Sequence, residues 1–171
     1  METEPGPTNV TAQIILIVIL TLINAFFASA EMAIVSINKN KVKHLAEEGN
    51  KKATILLKLM EEPTKFLSTI QVGITLAGFF SSASAATGLS GTFGELLKSI
   101  GIPYSNEIAL VVVTVILSYI TLVFGELFPK RIALQNAEAI AMFSVKPILF
   151  VSKVTLPFIK LLSLSTNLLI K

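Results

Sequence analysis

Three long apolar runs organise the chain. From Ala12 to Ile37 the only charge is Glu31, and at about 1.5 Å rise per residue a helix of this length exceeds a hydrocarbon core of roughly 30 Å. From Phe66 to Gly94 no charged residue occurs, although the second half, SSASAATGLSG, is so rich in Gly, Ala and Ser that the helix is expected to end near residue 87. The third run, Ile108 to Gly125, is closed by GELFPK, because Pro129 has no N–H with which to continue the hydrogen-bond ladder. The pattern predicts an all-α integral membrane protein with spans at about 12–37, 66–87 and 108–128, after a short extracellular tail over 1–11.

The stretch from Ala139 to Lys171 is also apolar, but Lys146, Lys153 and Lys160 interrupt it at seven-residue spacing, and Pro147 and Pro157 are expected to break it further. Residues seven apart lie within about 20° of one another on a helix, so the lysines share one stripe. That predicts an amphipathic juxtamembrane helix over about 138–165, lying in the interface with its lysines toward phosphates, rather than a fourth span. Residues 166–171 are then the start of a linker. The segment NKNKVKHLAEEGNKKATILLKLMEEP reads as two short amphipathic helices parted by Gly49-Asn50, with Pro63 preceding the second span.

Composition agrees: 53% of residues are hydrophobic and only 15% charged, with a mean hydropathy of +0.76. The net charge of +3 matters through its placement. Residues 38–65 hold seven Lys, the chain from Lys130 onward holds six Lys and Arg, and 88–107 holds only Lys98. The positive-inside rule then sets the N-terminus outside, residues 38–65 and the C-terminus in the cytoplasm, and 88–107 outside as a loop. With no Cys, no Asp and the single His44, the chain lacks a disulfide framework, a soft-metal site and any known catalytic constellation, so an enzyme is not expected.

Polar residues at membrane depth are costly unless partnered, and so they are informative. In the first span Asn24, Ala28 and Glu31 share a face, with Ser29 beside it. In the second, Ser68, Gln71, Thr75, Gly78 and Ser82 form a continuous polar and small stripe flanked by Gly73 and Ala77. In the third, Thr114, Ser118, Thr121 and Gly125 form another, with Tyr119 and Glu126 on the neighbouring face. Ser, Thr and Gly at such spacing are also common helix-packing devices. Glu126 either ligates a cation or pairs with Lys130 at i+4. Glu31 either pairs with Lys39, Lys130 or Arg131 or serves transport. Pro129 frees the carbonyl of Gly125, four residues earlier, beside the Glu126 carboxylate. Oxygen ligands at an interrupted helix suit a hard cation such as Mg²⁺ or Na⁺.

FFASAEMAIVSI, a lysine-rich segment with HLAEEGN, then FLSTIQVGITLAG and VFGELFPKRIALQNAE resemble the transmembrane domain of the CNNM/CorC family (DUF21, the bacterial Mg²⁺ exporter or "hemolysin-like" family), over nearly all of residues 10–165. The resemblance implies a homodimeric domain of three transmembrane helices plus a juxtamembrane helix, in the lipid bilayer of a bacterial inner membrane. It also implies Na⁺-coupled Mg²⁺ export by alternating access, and a nucleotide-binding cytoplasmic CBS-pair domain in the full-length chain. No nucleic-acid partner is implied. Carried over residue by residue, the metal ligands are Asn24, Thr75, Gly125 and Glu126. Ala28, Ser29, Glu31, Gln71, Gly73, Gly78, Ser118, Tyr119, Pro129 and Lys130 line or support the cavity. Asn24 and Ala28 stand where family members carry serines in LSAFFSGSE, and Gly73-Ile74-Thr75-Leu76-Ala77-Gly78 lacks their asparagines. Export of another cation such as a polyamine, and a non-transporting dimeric scaffold or sensor for CBS domains, are the alternative readings.

Overall fold

The computed structural model describes residues 10–169, apart from the side chains of residues 65 and 87. Of these residues 92% are helical, and no strand occurs among them. The order is α1 (Val10–Ser36), α2 (Lys39–Glu47), α3 (Lys51–Glu61), α4 (Pro63–Ser84), a π-turn (Ala85–Leu89), α5 (Ser90–Ser99), α6 (Ser105–Leu122), a second π-turn (Val123–Leu127), α7 (Phe128–Gln135) and α8 (Ala137–Leu169).

The punctuation of the polar segment is where its sequence places it. Asn38 Oδ1 accepts from the N–H of Asn40 and Lys41 to cap α2, and Asn50 Oδ1 accepts from those of Lys52 and Ala53 to cap α3. Gly49, at φ +90°, makes the intervening turn in a region that side chains disfavour. Pro63 opens α4 at a position whose N–H has no helical partner anyway.

Four stretches are long and apolar enough to cross a membrane: Val10–Ser36, Phe66–Ser84, Ser105–Gln135 and Ala137–Leu169. Several expected boundaries move. The third run does not end at Pro129, because the π-turn before it widens the helix and absorbs the missing N–H, so the rod continues to Gln135. Residues 88–107 are largely helical rather than a loop. Here α5 folds back on α6, with so little space that a β-carbon on Gly94 would lie 2.5 Å from Asn106 Oδ1.

Nor do Pro147 and Pro157 break α8. Both lie on its exposed side, and the residues four positions earlier whose carbonyls they leave unpaired, Phe143 and Lys153, are exposed too, so the missing N–H groups strand no buried acceptor and the helix runs on. The helix also runs through 166–169, where a linker is expected; residues 170–171 and the tail over 1–9 lie outside the described residues, and Val10 already belongs to α1.

The core sits at one end. Phe27, Ala30, Ala33, Ile34 and Ile37 of α1 pack with Val42, Leu56, Phe66, Ile70, Ala133 and, from α8, Ala141, Val145 and Ile148. Lys41 and Glu138 add an ion pair of 2.5 Å at that end. Toward the other end Ile14, Ile15, Val18, Leu22, Val111, Val115 and Ile116 are exposed, the inverse of a soluble domain and a surface suited to lipid or a partner helix.

Candidate functional site

The α1 face predicted from Asn24, Ala28 and Glu31 is real, and the elements around it divide the polar residues into three groups. The first joins the acids. Lys130 Nζ lies 2.9 Å from Glu126 Oε1 and 3.3 Å from Glu31 Oε2, tying α7 to α1. Both ion-pair alternatives for Glu31 and Glu126 are therefore met by one ammonium. All three side chains are partly exposed, and together they carry one net negative charge.

The second group opens beside Glu31. A cavity of about 660 Å³ lies between α4 and the second half of α8, lined by Glu31, Ser68, Gln71 and Thr75 together with apolar residues such as Phe79 and Ile159. The polar stripe of α4 faces this cavity and the exterior: Gln71, Thr75 and Ser82 are exposed. The side of α4 that meets α1 carries small residues instead. A β-carbon on Gly73 would lie 2.7 Å from the Phe27 ring, so glycine there permits the close approach of the two rods.

The third group surrounds the second π-turn. In that turn the N–H of Phe128 bonds the carbonyl of Val123, five residues back, and Pro129 follows with no N–H to give. The Gly125 carbonyl is bonded from outside the helix, by Asn24 Nδ2 at 3.2 Å. Asn24 is 4% exposed, and its Oδ1 has no hydrogen-bond partner. Space here is close: a β-carbon on Gly125 would stand 3.2 Å from Asn24 Nδ2 and 3.4 Å from the methyls of Thr21 and Thr121. A buried amide oxygen thus faces no donor, next to a helix whose own ladder is interrupted. That is costly unless something positive is drawn to it.

The expected set is only partly gathered. Asn24 meets Gly125, Glu126 meets Glu31 through Lys130, and Thr75 shares the cavity with Glu31 and Gln71. Ser118 and Tyr119 are exposed on α6, and Gly78 has open space around it. Ala28 is fully buried, and Ser29 spends its hydroxyl on the carbonyls of Ala25 and Phe26. Among the described residues no group of three or more His, Asp or Glu side chains could hold a metal, so any cation here would rely on neutral oxygens with one or two carboxylates. Sequence reasoning passed over Thr21, Gln13 and Ser81 and both π-turns. Gln13, alone in an apolar run, was a visible signal; Ser81 was hidden in a serine-rich stretch.

Comparison with known proteins bears on the same residues. The profile of the cyclin M (CNNM) transmembrane N-terminal domain matches residues 14–171. The UPF0053 protein sll0260 of Synechocystis is 35% identical over 166 residues, which is 96% of this chain and 37% of that protein. YugS, a UPF0053 protein of Bacillus subtilis, is 34% identical over 161 residues, 93% of this chain and 38% of its own. YfjD of Escherichia coli, named a UPF0053 inner membrane protein, is 26% identical over 149 residues, 87% of this chain and 32% of its own. The chain spans less than two-fifths of the length of these relatives.

Proposed function

From the premise that the chain belongs to the cyclin M transmembrane-domain family, we propose that it is the membrane domain of a divalent-cation transporter. Its cargo is Mg²⁺, exported by alternating access with Na⁺ as coupling ion. The observation that carries this reading is the bare, buried Oδ1 of Asn24 beside the π-turn that holds Gly125 and Glu126. A hard cation takes carboxylate, amide and backbone oxygens together, and a helix interrupted at membrane depth supplies the last of these.

In this reading the Glu31 end faces the cytoplasm, as the bias of Lys and Arg toward residues 38–65 and the chain after Lys130 supports. Cations enter the cavity past Thr75 and Gln71, drawn by Glu31. Lys130 neutralises Glu126 when no cargo is bound and swings away when Mg²⁺ arrives. Asn24 then turns its oxygen toward the ion, and the Gly125 carbonyl exchanges the Asn24 N–H for the metal. Three helices cross the bilayer, and α8 lies in the interface with Lys146, Lys153 and Lys160 outward; all three are exposed. Two copies assemble through the exposed polar faces of α4 and α6, in a bacterial inner membrane, and the full-length chain continues into a cytoplasmic CBS-pair domain.

The test is Mg²⁺ release from proteoliposomes loaded with the full-length protein's cargo. Glu126→Gln and Asn24→Leu are expected to abolish release while the protein still assembles; wild-type rates in both variants would remove the proposed ligands. One observation favours a second cargo class. The two carboxylates already cradle an ammonium, that of Lys130, next to a cavity far larger than one ion needs. Export of a polyamine would use the same acids, and putrescine displacing Mg²⁺ in a thermal-shift competition would favour it.

A further inference from the structure

Three side-chain oxygens are buried without a hydrogen-bond partner among the described residues: Asn24 Oδ1, Ser81 Oγ and Gln13 Oε1. They are not scattered. Gln13 and Asn24 are eleven residues apart on α1, which is three turns, so they share one face at about 16 Å separation. On α4, Gly73 receives the Phe27 ring, and beyond its end, in the first π-turn, Gly88 receives the Gln13 carboxamide, which a β-carbon there would overlap. These two contacts set the rods antiparallel and place Ser81 opposite the stretch of α1 between Asn24 and Gln13.

The first π-turn, Ala85–Leu89, makes this alignment possible. In an uninterrupted α-helix Gly88 would point about 60° away from Gly73, and the extra residue of the wide turn brings it back onto the same side. Ser81 is 3% exposed and Asn24 4%. Both are more than nine-tenths buried, and both leave an oxygen bare. Each such oxygen is costly to maintain unless water or a cation visits it.

We infer that Asn24, Ser81 and Gln13 mark the outer half of the cation path, with Gln13 folded over Gly88 as its closed outer gate. This rests on the transporter reading. In the conformation seen, a 660 Å³ cavity opens beside Glu31 on the α8 side of α4, and at the far end of α1 the Gln13 side chain fills the space beside Gly88. In the opposite state the Gln13 side chain leaves Gly88 and the ion passes Ser81 in single file, exchanging protein oxygens for water as it goes. Ser81 and Gln13 are positioning residues along the route and do not hold the ion at its central site.

The chain contains no cysteine, so single substitutions report alone in a full-length protein carrying no other cysteine. Ser81→Cys and Gln13→Cys are compared with Val18→Cys and Leu22→Cys, apolar exposed positions on α1. The probe is a membrane-impermeant cationic methanethiosulfonate applied from the side where Gln13 emerges. A thiol reacts only where water lets it ionise, so the first pair is expected to react at least tenfold faster than the second. Equal rates would overturn the path. In a second arm, Ser81→Val and Gln13→Leu are expected to cut Mg²⁺ efflux at least tenfold with Mg²⁺ binding by calorimetry within twofold of wild type; undiminished efflux would also overturn it. If Ser81→Cys reacts fast but the wild type neither binds nor moves Mg²⁺, the aqueous route stands and the assignment of cargo fails instead.

Discussion

Asn24 shows how one buried amide can be both structural and functional. Its Nδ2 satisfies the Gly125 carbonyl, while its Oδ1 remains bare. Asn24→Leu removes the bare Oδ1 but also the donor to the Gly125 carbonyl, which becomes the bare acceptor in its place, so the lost hydrogen bond remains as a net cost of about 1 kcal/mol. Thermal stability in detergent is therefore expected to fall slightly, while Mg²⁺ affinity falls at least thirtyfold by calorimetry. Lys130 acts in the opposite sense. Its ammonium sits between Glu31 and Glu126 and competes with any cation for them. Lys130→Gln is expected to tighten Mg²⁺ binding by about tenfold, equivalent to ~1.4 kcal/mol, and to slow release of the ion. Weaker binding in that variant would mean that Lys130 positions the acids rather than competing for them.

At the scale of the element, the second π-turn depends on Pro129. Restoring an N–H with Pro129→Ala lets the rod from α6 to α7 close into regular α-helix, which is expected to raise the melting temperature by a few degrees. The same change rotates Gly125 and Glu126 away from α1, so Mg²⁺ binding should be lost. A variant that gains stability and keeps its binding would show that the wide turn has no part in the site. Gly73 sets the spacing of α1 and α4. A β-carbon 2.7 Å from the Phe27 ring forces the rods apart, so Gly73→Ala is expected to cost about 1–3 kcal/mol, read as a lowered melting temperature.

For the whole molecule, the decisive matter is which end is packed and which is bare. Core packing joins α2, α3 and the first half of α8 at the Glu31 end, and the opposite half presents apolar side chains outward. Although α8 has the length and composition of a span, Val145 and Ile148 hold its first half in that core, and its lysine stripe is exposed. A cysteine at Leu169 is accordingly expected to react with an impermeant reagent from the same side as one at Gly49. Reaction from the opposite side would make α8 a fourth crossing.

The sequence by itself determined the apolar rods, the two Asn-capped helices around Gly49 and the family, because these follow from local periodicity, capping chemistry and motif. It also marked Glu126, Gly125 and Pro129 as neighbours, since adjacency along a chain needs no fold. Only the tertiary structure decided that Asn24 answers the Gly125 carbonyl, that one lysine serves both glutamates and that the α4 stripe turns toward a cavity and the exterior. It likewise kept α8 whole through two prolines and lined Gln13 up with Gly88. These outcomes depend on rotation and spacing between rods. A single extra residue in a wide turn shifts every later side chain around its axis, and hydrophobic periodicity does not register so small a change.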